Sequence, residues 1–186
     1  MNILKSVLVV SVVALPLFGV AHAADNNAYV PSDVATSTGF YLRGDGGASF
    51  VNWSGGKDDV TWLVGGGLGY QFNDNIRTDI TGDWSGKYDI APGAKINTTT
   101  VMGNVYYDWA NDTAFTPYIG VGAGYGWING SGVADDAGLA LGATAGVSVD
   151  MTSNLALDVG YRFRDIMVSG ADSQEHQAVA GLRFKF

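Results

Sequence analysis

The sequence predicts an all-β protein, an eight-stranded antiparallel up-and-down transmembrane β-barrel, and three observations carry that prediction. From residue 38 onward, apolar residues alternate with a period of two. The alternating stretches are ten residues or longer, whereas strands of soluble proteins average about five or six residues. Strands of about 9–11 residues are the length that crosses a bilayer at a tilt near 45°. The links between the stretches are alternately short and long, which is typical of outer-membrane barrels.

The composition fits one domain and argues against several function classes. The chain has 186 residues, 27 of them glycine, with no cysteine and a net charge of −8. A chain without cysteine cannot form a disulfide scaffold, a cysteine-ligated zinc site or a thiol nucleophile. Proteins that bind nucleic acid need a basic surface, so we expect no nucleic-acid partner.

The first 23 residues have the pattern of a cleavable signal peptide. Lys5 precedes a mostly apolar stretch from Val7 to Ala21, and Ala21-His22-Ala23 is a small-x-small cleavage site. The apolar stretch is too short for a comfortable transmembrane helix of about 20 residues, although an uncleaved anchor is the alternative. We therefore expect an exported protein with a signal peptide at 1–23, a flexible lead at 24–37 and the barrel at 38–186.

Eight strands follow the lead, with short turns at one end and longer loops at the other. The strands are expected near residues 38–51, 60–72, 76–85, 97–109, 116–127, 137–150, 155–165 and 176–186. Residues rich in Asn, Asp and Ser form the short turns at 73–75, 110–115 and 151–154. Longer polar segments at 52–59, 86–96, 128–136 and 166–175 are expected to be loops outside the cell. Of these, 86–96 and 166–175 should extend furthest.

The parity of each strand assigns its two faces to different surroundings. The strand at 155–165 has Leu157, Val159 and Tyr161 on one face, with Arg162 and Arg164 on the other. The strand at 116–127 has apolar residues opposite a run of glycines. Aromatic residues concentrate at the strand ends, as in interfacial girdles. Glycines and charges on the second face suit the narrow interior of an eight-stranded barrel. A soluble barrel such as a lipocalin, with the faces reversed, is the alternative.

The polar face brings balanced charges into the predicted lumen. Six are basic and six acidic: Arg43, Arg77, Arg162, Arg164, Arg183 and Lys185, with Asp45, Asp79, Asp83, Asp108, Asp150 and Asp158. Charges in a confined interior need partners, or each costs several kcal/mol in desolvation. A balanced set predicts a hydrogen-bonded plug. An ion path, the alternative, would favour one sign in excess.

Other candidate sites are weaker. Arg43-Gly44-Asp45 spells an integrin-binding tripeptide, but both charges belong to the lumen face. Asp58-Asp59 and Asp135-Asp136 could share a divalent cation, although solvated loop tips explain them more simply. After the signal peptide, His176 is the only histidine, and it has lipid-facing parity with no serine nucleophile beside it. We expect no catalytic residue, no metal and no cofactor.

Three strands resemble a known family. Thr38–Gly44, Pro117–Gly126 and Leu157–Phe163 resemble the first, fifth and seventh strands of small outer-membrane β-barrels of the alphaproteobacterial surface-antigen type, which are OmpA-like and opacity-protein-like. The last strand, with Phe184 and Phe186, resembles the terminal signal read by the barrel-assembly machinery. The resemblance implies a monomer in outer-membrane lipid and lipopolysaccharide. It also implies a role in envelope integrity, adhesion or host contact, with an extracellular ligand bound through the loops. A narrow porin-like channel is the alternative.

Overall fold

The described part of the chain forms nine strands. The structure, a computed structural model, describes residues 38–53, 59–131, 135–168 and 171–186, so the predicted signal peptide and lead lie outside the described residues. The strands in that part of the chain are β1 (Gly39–Trp53), β2 (Asp59–Gln71), β3 (Ile76–Ser85), β4 (Tyr88–Ala91), β5 (Ala94–Asp108), β6 (Phe115–Ser131), β7 (Asp136–Asp150), β8 (Leu155–Val168) and β9 (Ala171–Lys185). Within these ranges, no helix has the length and apolar character needed to cross a membrane.

Eight of the nine strands close into a barrel. Each pairs antiparallel with its neighbours, β3 pairs with β5, and β1 pairs with β9 to complete the circle. The ninth strand, β4, pairs as a strand only with β5 in the described structure. The predicted eight-stranded antiparallel up-and-down barrel is therefore confirmed.

Tight turns connect the strands at one end of the barrel, here called the turn end. The side-chain oxygen of Asn73 accepts hydrogen bonds from the backbone N–H groups of Asn75 and Ile76, both at 2.9 Å. Such local caps are the reason that Asn and Thr favour turns. Both ends of the barrel chain meet here, since the backbone N–H of Phe186 donates to the carbonyl of Phe40 at 3.2 Å.

The opposite end, here called the loop end, is more regular than the sequence predicted. The predicted loop at 86–96 contains β4 and the start of β5, joined by a two-residue turn at Pro92-Gly93. Gly93 has a φ of 81°, and proline followed by glycine at positive φ is the pattern of a type II turn. The predicted loop at 166–175 is also wrong, because β8 continues to Val168 and β9 begins at Ala171.

These strand extensions have a physical cause that the polarity of the sequence conceals. Ile128, Ile166 and Glu175 continue the inward alternation of their strands and are buried. Their neighbours Asn129, Asp165 and Gln174 are polar, and polarity was interpreted as a loop signal. Backbone pairing continues nonetheless, because the strand N–H and C=O groups satisfy one another across the extended hairpins.

The outer wall of the barrel is apolar, as predicted. Large exposed apolar side chains cover it, and aromatic rings concentrate near both ends. Near the loop end, Trp62 and Trp84 pack edge to face at 4.9 Å between ring centroids. Near the turn end, Phe40 and Tyr70 do the same at 4.9 Å. Rings at two levels match the girdles that mark the two interfaces of a membrane.

The inner wall is polar, and its glycines make room for large side chains. A Cβ atom on Gly120 would lie 2.4 Å from the ring of Tyr106. A Cβ atom on Gly122 would lie 2.1 Å from the side-chain oxygen of Asn104. The glycine run of β6 is therefore required by neighbours that fill the lumen, which is only as wide as side chains can fill.

Candidate functional site

The lumen is the candidate functional site, and its turn end holds two linked ion pairs. The Arg183 guanidinium pairs with Asp158 at 3.1 Å and also donates to the Ser148 hydroxyl at 2.7 Å. Arg77 pairs with Asp108 at 2.9 Å and approaches Asp158 at 3.8 Å. Asp158 therefore links the two pairs, because its Oδ2 lies near the guanidinium groups of both Arg183 and Arg77.

Tyrosine rings enclose the Arg77 cation. Its guanidinium carbon lies 4.2 Å from the ring centroid of Tyr106 and 4.8 Å from that of Tyr118. A cation over an aromatic face is stabilised by the ring quadrupole, by about 2 kcal/mol when water is excluded. The sequence analysis missed these tyrosines. Their inward parity, shared with Asp108 on β5 and with the glycines of β6, was the available signal.

The middle of the lumen is organised by Arg43. Its guanidinium donates to both oxygens of Asp45 at 2.9 Å and to Asp79 at 2.9 Å. The hydroxyl of Tyr41 donates to the same Asp79 carboxylate at 3.1 Å. Arg43 and Asp45 are therefore buried against each other within the barrel, so a receptor cannot reach the Arg-Gly-Asp tripeptide.

Nearer the loop end, one carboxylate serves two arginines. Asp83 accepts from Arg162 at 3.0 Å and from Arg164 at 2.8 Å, with all three side chains buried. Arg162 also lies 3.8 Å from Asp45, which connects this group to the middle of the lumen. The ion pairs of the middle and of the loop end therefore form one chain of contacts, and Tyr106 connects it to the turn end because its ring lies against Arg77 and its hydroxyl accepts from Arg43.

Glu175 is a lumen residue that the sequence analysis placed in a loop. It is fully buried on β9, 3.7 Å from Arg164. Its carboxylate accepts from the Thr98 hydroxyl at 2.7 Å and from the Gln177 amide at 2.8 Å. Its parity with the inward-facing Gln177 was the signal that could have identified it.

Two residues of the predicted lumen set lie elsewhere. Asp150 ends β7 and is exposed at the turn end, so its placement inside the lumen is wrong. Lys185 is half-buried at the same rim and has no ion-pair partner within the described ranges. Both have inward parity, but the strand ends where they stand, so water reaches them. The other ten predicted residues are buried inside and, with Glu175, give five arginines and six acids in the described lumen.

An apolar layer closes the loop end above these charges. We call it the outer cap, and its buried members are Val51, Tyr88, Ala94, Ile96, Met102, Ile128, Ala140 and Ile166. The extended hairpins bring most of these residues over the lumen, which is why a prediction with loops in their place did not find them. The lumen is thus charged from the turn end to Glu175 and apolar at its mouth.

The remaining candidate residues lie outside the lumen. His176 lies on the outer wall, where its ring is hydrogen-bonded to the Tyr161 hydroxyl and lies 5.3 Å from the Phe163 ring. The Asp59 carboxylate accepts from the backbone N–H groups of Val60 and Asp89, and Asp135 accepts from that of Gly130. Asp58 lies outside the described residues. Across the described ranges, no group of three or more acidic, His or Cys side chains is arranged to hold a metal ion.

A closed barrel that is apolar outside, ringed by aromatic girdles and charged inside is a membrane-spanning β-barrel, because only a lipid environment favours that arrangement of faces. The family model for the outer membrane protein beta-barrel domain matches residues 10–186. The chain belongs to this family, and its location is the outer membrane.

Relatives of this chain include proteins from several bacteria. An uncharacterized protein of Brucella abortus is 28% identical over 210 residues, covering 76% of this chain and 74% of that protein. Outer membrane protein PagN of Salmonella typhimurium is 27% identical over 175 residues, covering 67% of this chain and 73% of PagN.

Solved structures show the same barrel. The crystal structure of Neisserial surface protein A superimposes with a TM-score of 0.71 and 25% identity, covering 79% of this chain and 97% of that one. Ail, the attachment invasion locus protein of Yersinia pestis, gives a TM-score of 0.53 at 18% identity, covering 78% of this chain and 99% of Ail. At this low identity the similarity to Ail is one of fold only.

Proposed function

We propose that this barrel is a structural and surface-contact protein of the outer membrane, without enzymatic activity, whose lumen is held shut by its own side chains. The observation that carries the proposal is the filled lumen. Eleven buried charged side chains pair with one another along its inner wall, and the apolar outer cap lies above them. A rigid scaffold without an open passage leaves the loop end as the surface where binding residues can vary.

The loop end has an acidic surface, which indicates the kind of partner it would favour. Asp59, Asp89, Asp135 and Asp136 are at least partly exposed there, against the exposed Lys87 and Lys95. Lys95 is already paired with Asp89 at 2.8 Å, and this hydrogen bond raises the pKa of the Lys95 ammonium. The remaining carboxylates give a negative rim, so we expect a basic or neutral extracellular partner.

The expected preference for a basic or neutral partner distinguishes this barrel from one of its structural neighbours. Ail of Yersinia pestis has been determined in complex with sucrose octasulfate, a heparin analogue. A negative rim repels a sulfated polyanion, so we do not transfer this ligand class to the present chain.

We also propose that the protein is exported and assembled in the outer membrane through its two chain ends. Residues 1–23 would be removed as a signal peptide, and Phe184 and Phe186 would form part of the signal for the barrel-assembly machinery. The barrel would remain a monomer in outer-membrane lipid and lipopolysaccharide.

Adhesion of whole cells tests the surface-contact role. Cells that express the wild-type barrel should bind beads coated with lysozyme, a basic protein, more than cells of the deletion strain do. The double variant Asp89→Asn/Asp135→Asn should lose most of that difference, because it removes negative charge from the loop end. The matched control Asp112→Asn/Asp150→Asn makes the same charge change at the exposed turn end and should bind as wild type. Equal binding by the deletion strain would refute the surface-contact role.

Planar bilayers distinguish this function from the alternative of a narrow channel. A lumen filled by paired charges should give no steady conductance, because an ion would have to displace buried partners at a cost of several kcal/mol. Reproducible single-channel steps from the purified wild-type barrel, lost when Gly122→Leu fills the inner wall, would favour the channel.

A further inference from the structure

Several fully buried polar groups near the loop end of the lumen have no hydrogen-bond partner in the described structure. Three of them belong to neighbouring residues on the inner face: the hydroxyl of Ser173, the Nε of Arg164 and the side-chain oxygen of Gln177. Leaving one such group unsatisfied costs about 1–3 kcal/mol, so folded proteins keep only a few. Three such groups close together at one end of the lumen therefore call for a common partner.

These three groups lie around one carboxylate, that of Glu175. Ser173, Glu175 and Gln177 alternate along the inner face of β9. Ser49 is paired in register with Gln177, and Arg164 with Glu175. The Tyr88 hydroxyl lies beside Ser49 and Ser85 and interacts with the Glu175 carboxylate. The three unpartnered groups are thus contributed to a single layer of the lumen by β8 and β9, and Ser49 of β1 and Tyr88 of β4 line the same layer.

The same layer is closed on both sides. Towards the turn end, Asp83 and the guanidinium groups of Arg162 and Arg164 cross the lumen at hydrogen-bond distance. Towards the mouth, the outer cap covers it, and Tyr88 belongs to both, with its ring in the cap and its hydroxyl in the layer. The charges within the layer compensate, because Glu175 and Arg164 are 3.7 Å apart.

We propose that this layer is a hydrated chamber: a binding site for ordered water molecules, closed at the mouth by the Tyr88 ring acting as a stopper. Water fits because the unpartnered groups are one N–H donor, one amide oxygen acceptor and one hydroxyl, which need a neutral partner that can both donate and accept, and buried waters characteristically satisfy such groups. Tyr88 lies on β4, a four-residue strand whose only strand pairing in the described structure is with β5, so one of its edges is not paired with another strand. This inference goes beyond the proposed function, because it assigns a position to solvent inside the closed lumen and names the residue that separates that solvent from the outside.

Thiol accessibility tests the stopper cleanly, because the chain has no cysteine of its own. Ser49→Cys places one thiol in the chamber, and 2-aminoethyl methanethiosulfonate is added to the barrel in phosphatidylcholine nanodiscs. With Tyr88 present, the thiol should be protected. Adding Tyr88→Ala should raise its modification rate about tenfold or more, since the rate follows access to the thiol. Tyr88→Phe keeps the ring and should keep the protection.

Matched thiols separate opening of the chamber from loosening of the whole barrel. Ser148→Cys lies beside Arg183 at the turn end, and its modification rate should not change when Tyr88→Ala is added. Ser131→Cys is exposed at the loop end and should react equally fast in both backgrounds. If Tyr88→Ala prevents folding, Ile96→Ala trims the same cap and should give the same acceleration at position 49.

Any result that differs from these expected modification rates overturns the proposal. A reactive Ser49→Cys in the presence of Tyr88 means that the mouth is already open, and a thiol protected in both cap variants means that no chamber lies beneath the cap. Acceleration at Ser148→Cys means that the charged layer is not a seal. Nuclear magnetic resonance adds a direct measurement: magnetisation should pass from water to protons around Ser49 and Gln177 in the wild-type barrel. Its absence would exclude ordered water there. None of these results depends on adhesion, so they fail or succeed independently of the surface-contact role.

Discussion

Arg183 and Lys185 lie two residues apart on the inner face of β9 and differ in their partners. Arg183 is buried and bound to Asp158 and Ser148, whereas Lys185 is half-buried without an ion-pair partner in the described ranges. Arg183→Ala leaves the buried Asp158 short of its closest cation, so we expect the free energy of unfolding to fall by about 3–5 kcal/mol. Urea unfolding in lipid vesicles measures it.

Lys185→Ala is the matched control at the same end of the same strand. Its loss leaves no buried charge unpaired, so it should change the free energy of unfolding by no more than about 0.5 kcal/mol. If Arg183→Ala cost as little as this control, the lumen charges would be solvated by a wet channel.

Glycines on the two faces of the wall should respond oppositely to an added methyl group. The Cβ of Gly120→Ala would press on the Tyr106 ring, whose hydroxyl accepts from Arg43 at 3.1 Å, so the ring cannot simply move away. Overpacking of this kind costs about 1–3 kcal/mol. Gly82 faces outward, and a Cβ there meets nothing within 4 Å. Gly82→Ala should therefore be neutral or stabilise by about 0.5–1 kcal/mol.

Urea unfolding in the same lipid vesicles measures the free energy of unfolding of both glycine variants. An equal loss of stability in the two variants would mean that strand glycines matter for the backbone alone and not for the side chains that fill the lumen.

At the scale of the element, β9 closes the barrel by pairing with β1, and two aromatic residues lie at the end of the chain. Phe184 and Phe186 lie 6.1 Å apart between ring centroids, and the N–H of Phe186 donates to the carbonyl of Phe40 on β1. Deleting Phe186 removes this closure and the end of the proposed assembly signal. We expect less folded barrel in the outer membrane and more periplasmic degradation, measured by fractionation and immunoblotting.

The control for this deletion is Phe115→Leu, which removes an exposed ring at the same end of the barrel from a strand that does not end the chain. It should assemble normally. Unchanged assembly of the deletion variant under strong expression would show that Phe186 is not part of the signal.

The β4–β5 hairpin is the element in which sequence and structure differ most. Its Pro92-Gly93 pair is a recognisable turn signal, and Tyr88 and Ile96 continue the inward alternation on either side of it. With β4 in place, the mouth of the lumen is apolar, and the barrel has a closed end that a flexible loop would not supply.

At the scale of the whole molecule, the closed hydrogen-bonded wall predicts resistance to detergent. Every barrel strand is paired on both sides, so no edge is left at which unfolding by sodium dodecyl sulfate could begin. The unheated protein should migrate differently from the boiled protein on gels. A barrel with faces reversed, recovered as a soluble periplasmic protein with no such shift, would contradict the membrane assignment.

The sequence by itself determined the faces of the wall. Alternation is a local property, since successive side chains of any strand point to opposite sides. Arg162, Arg164 and Asp158 could therefore be assigned to the inner face of one strand without knowing its neighbours, and the structure buries all three. The strand length and the turn chemistry of segments such as 73–75 are equally local, which is why the barrel and its turn end were predicted correctly.

Only the tertiary structure decided which side chains meet across the lumen. Asp83 and Arg164 are 81 residues apart in sequence, and Thr98 and Glu175 are 77 apart. Their contacts depend on the register of every intervening strand and on the closure of β1 against β9. The outer cap likewise depends on hairpins that extend beyond the predicted strand ends, where polar outward-facing neighbours concealed the inward alternation. The position of a residue in the alternation of its own strand determines which face its side chain lies on. The partner that the side chain meets across the lumen depends on the register of every strand pair around the barrel, and the sequence of a single strand does not contain that information.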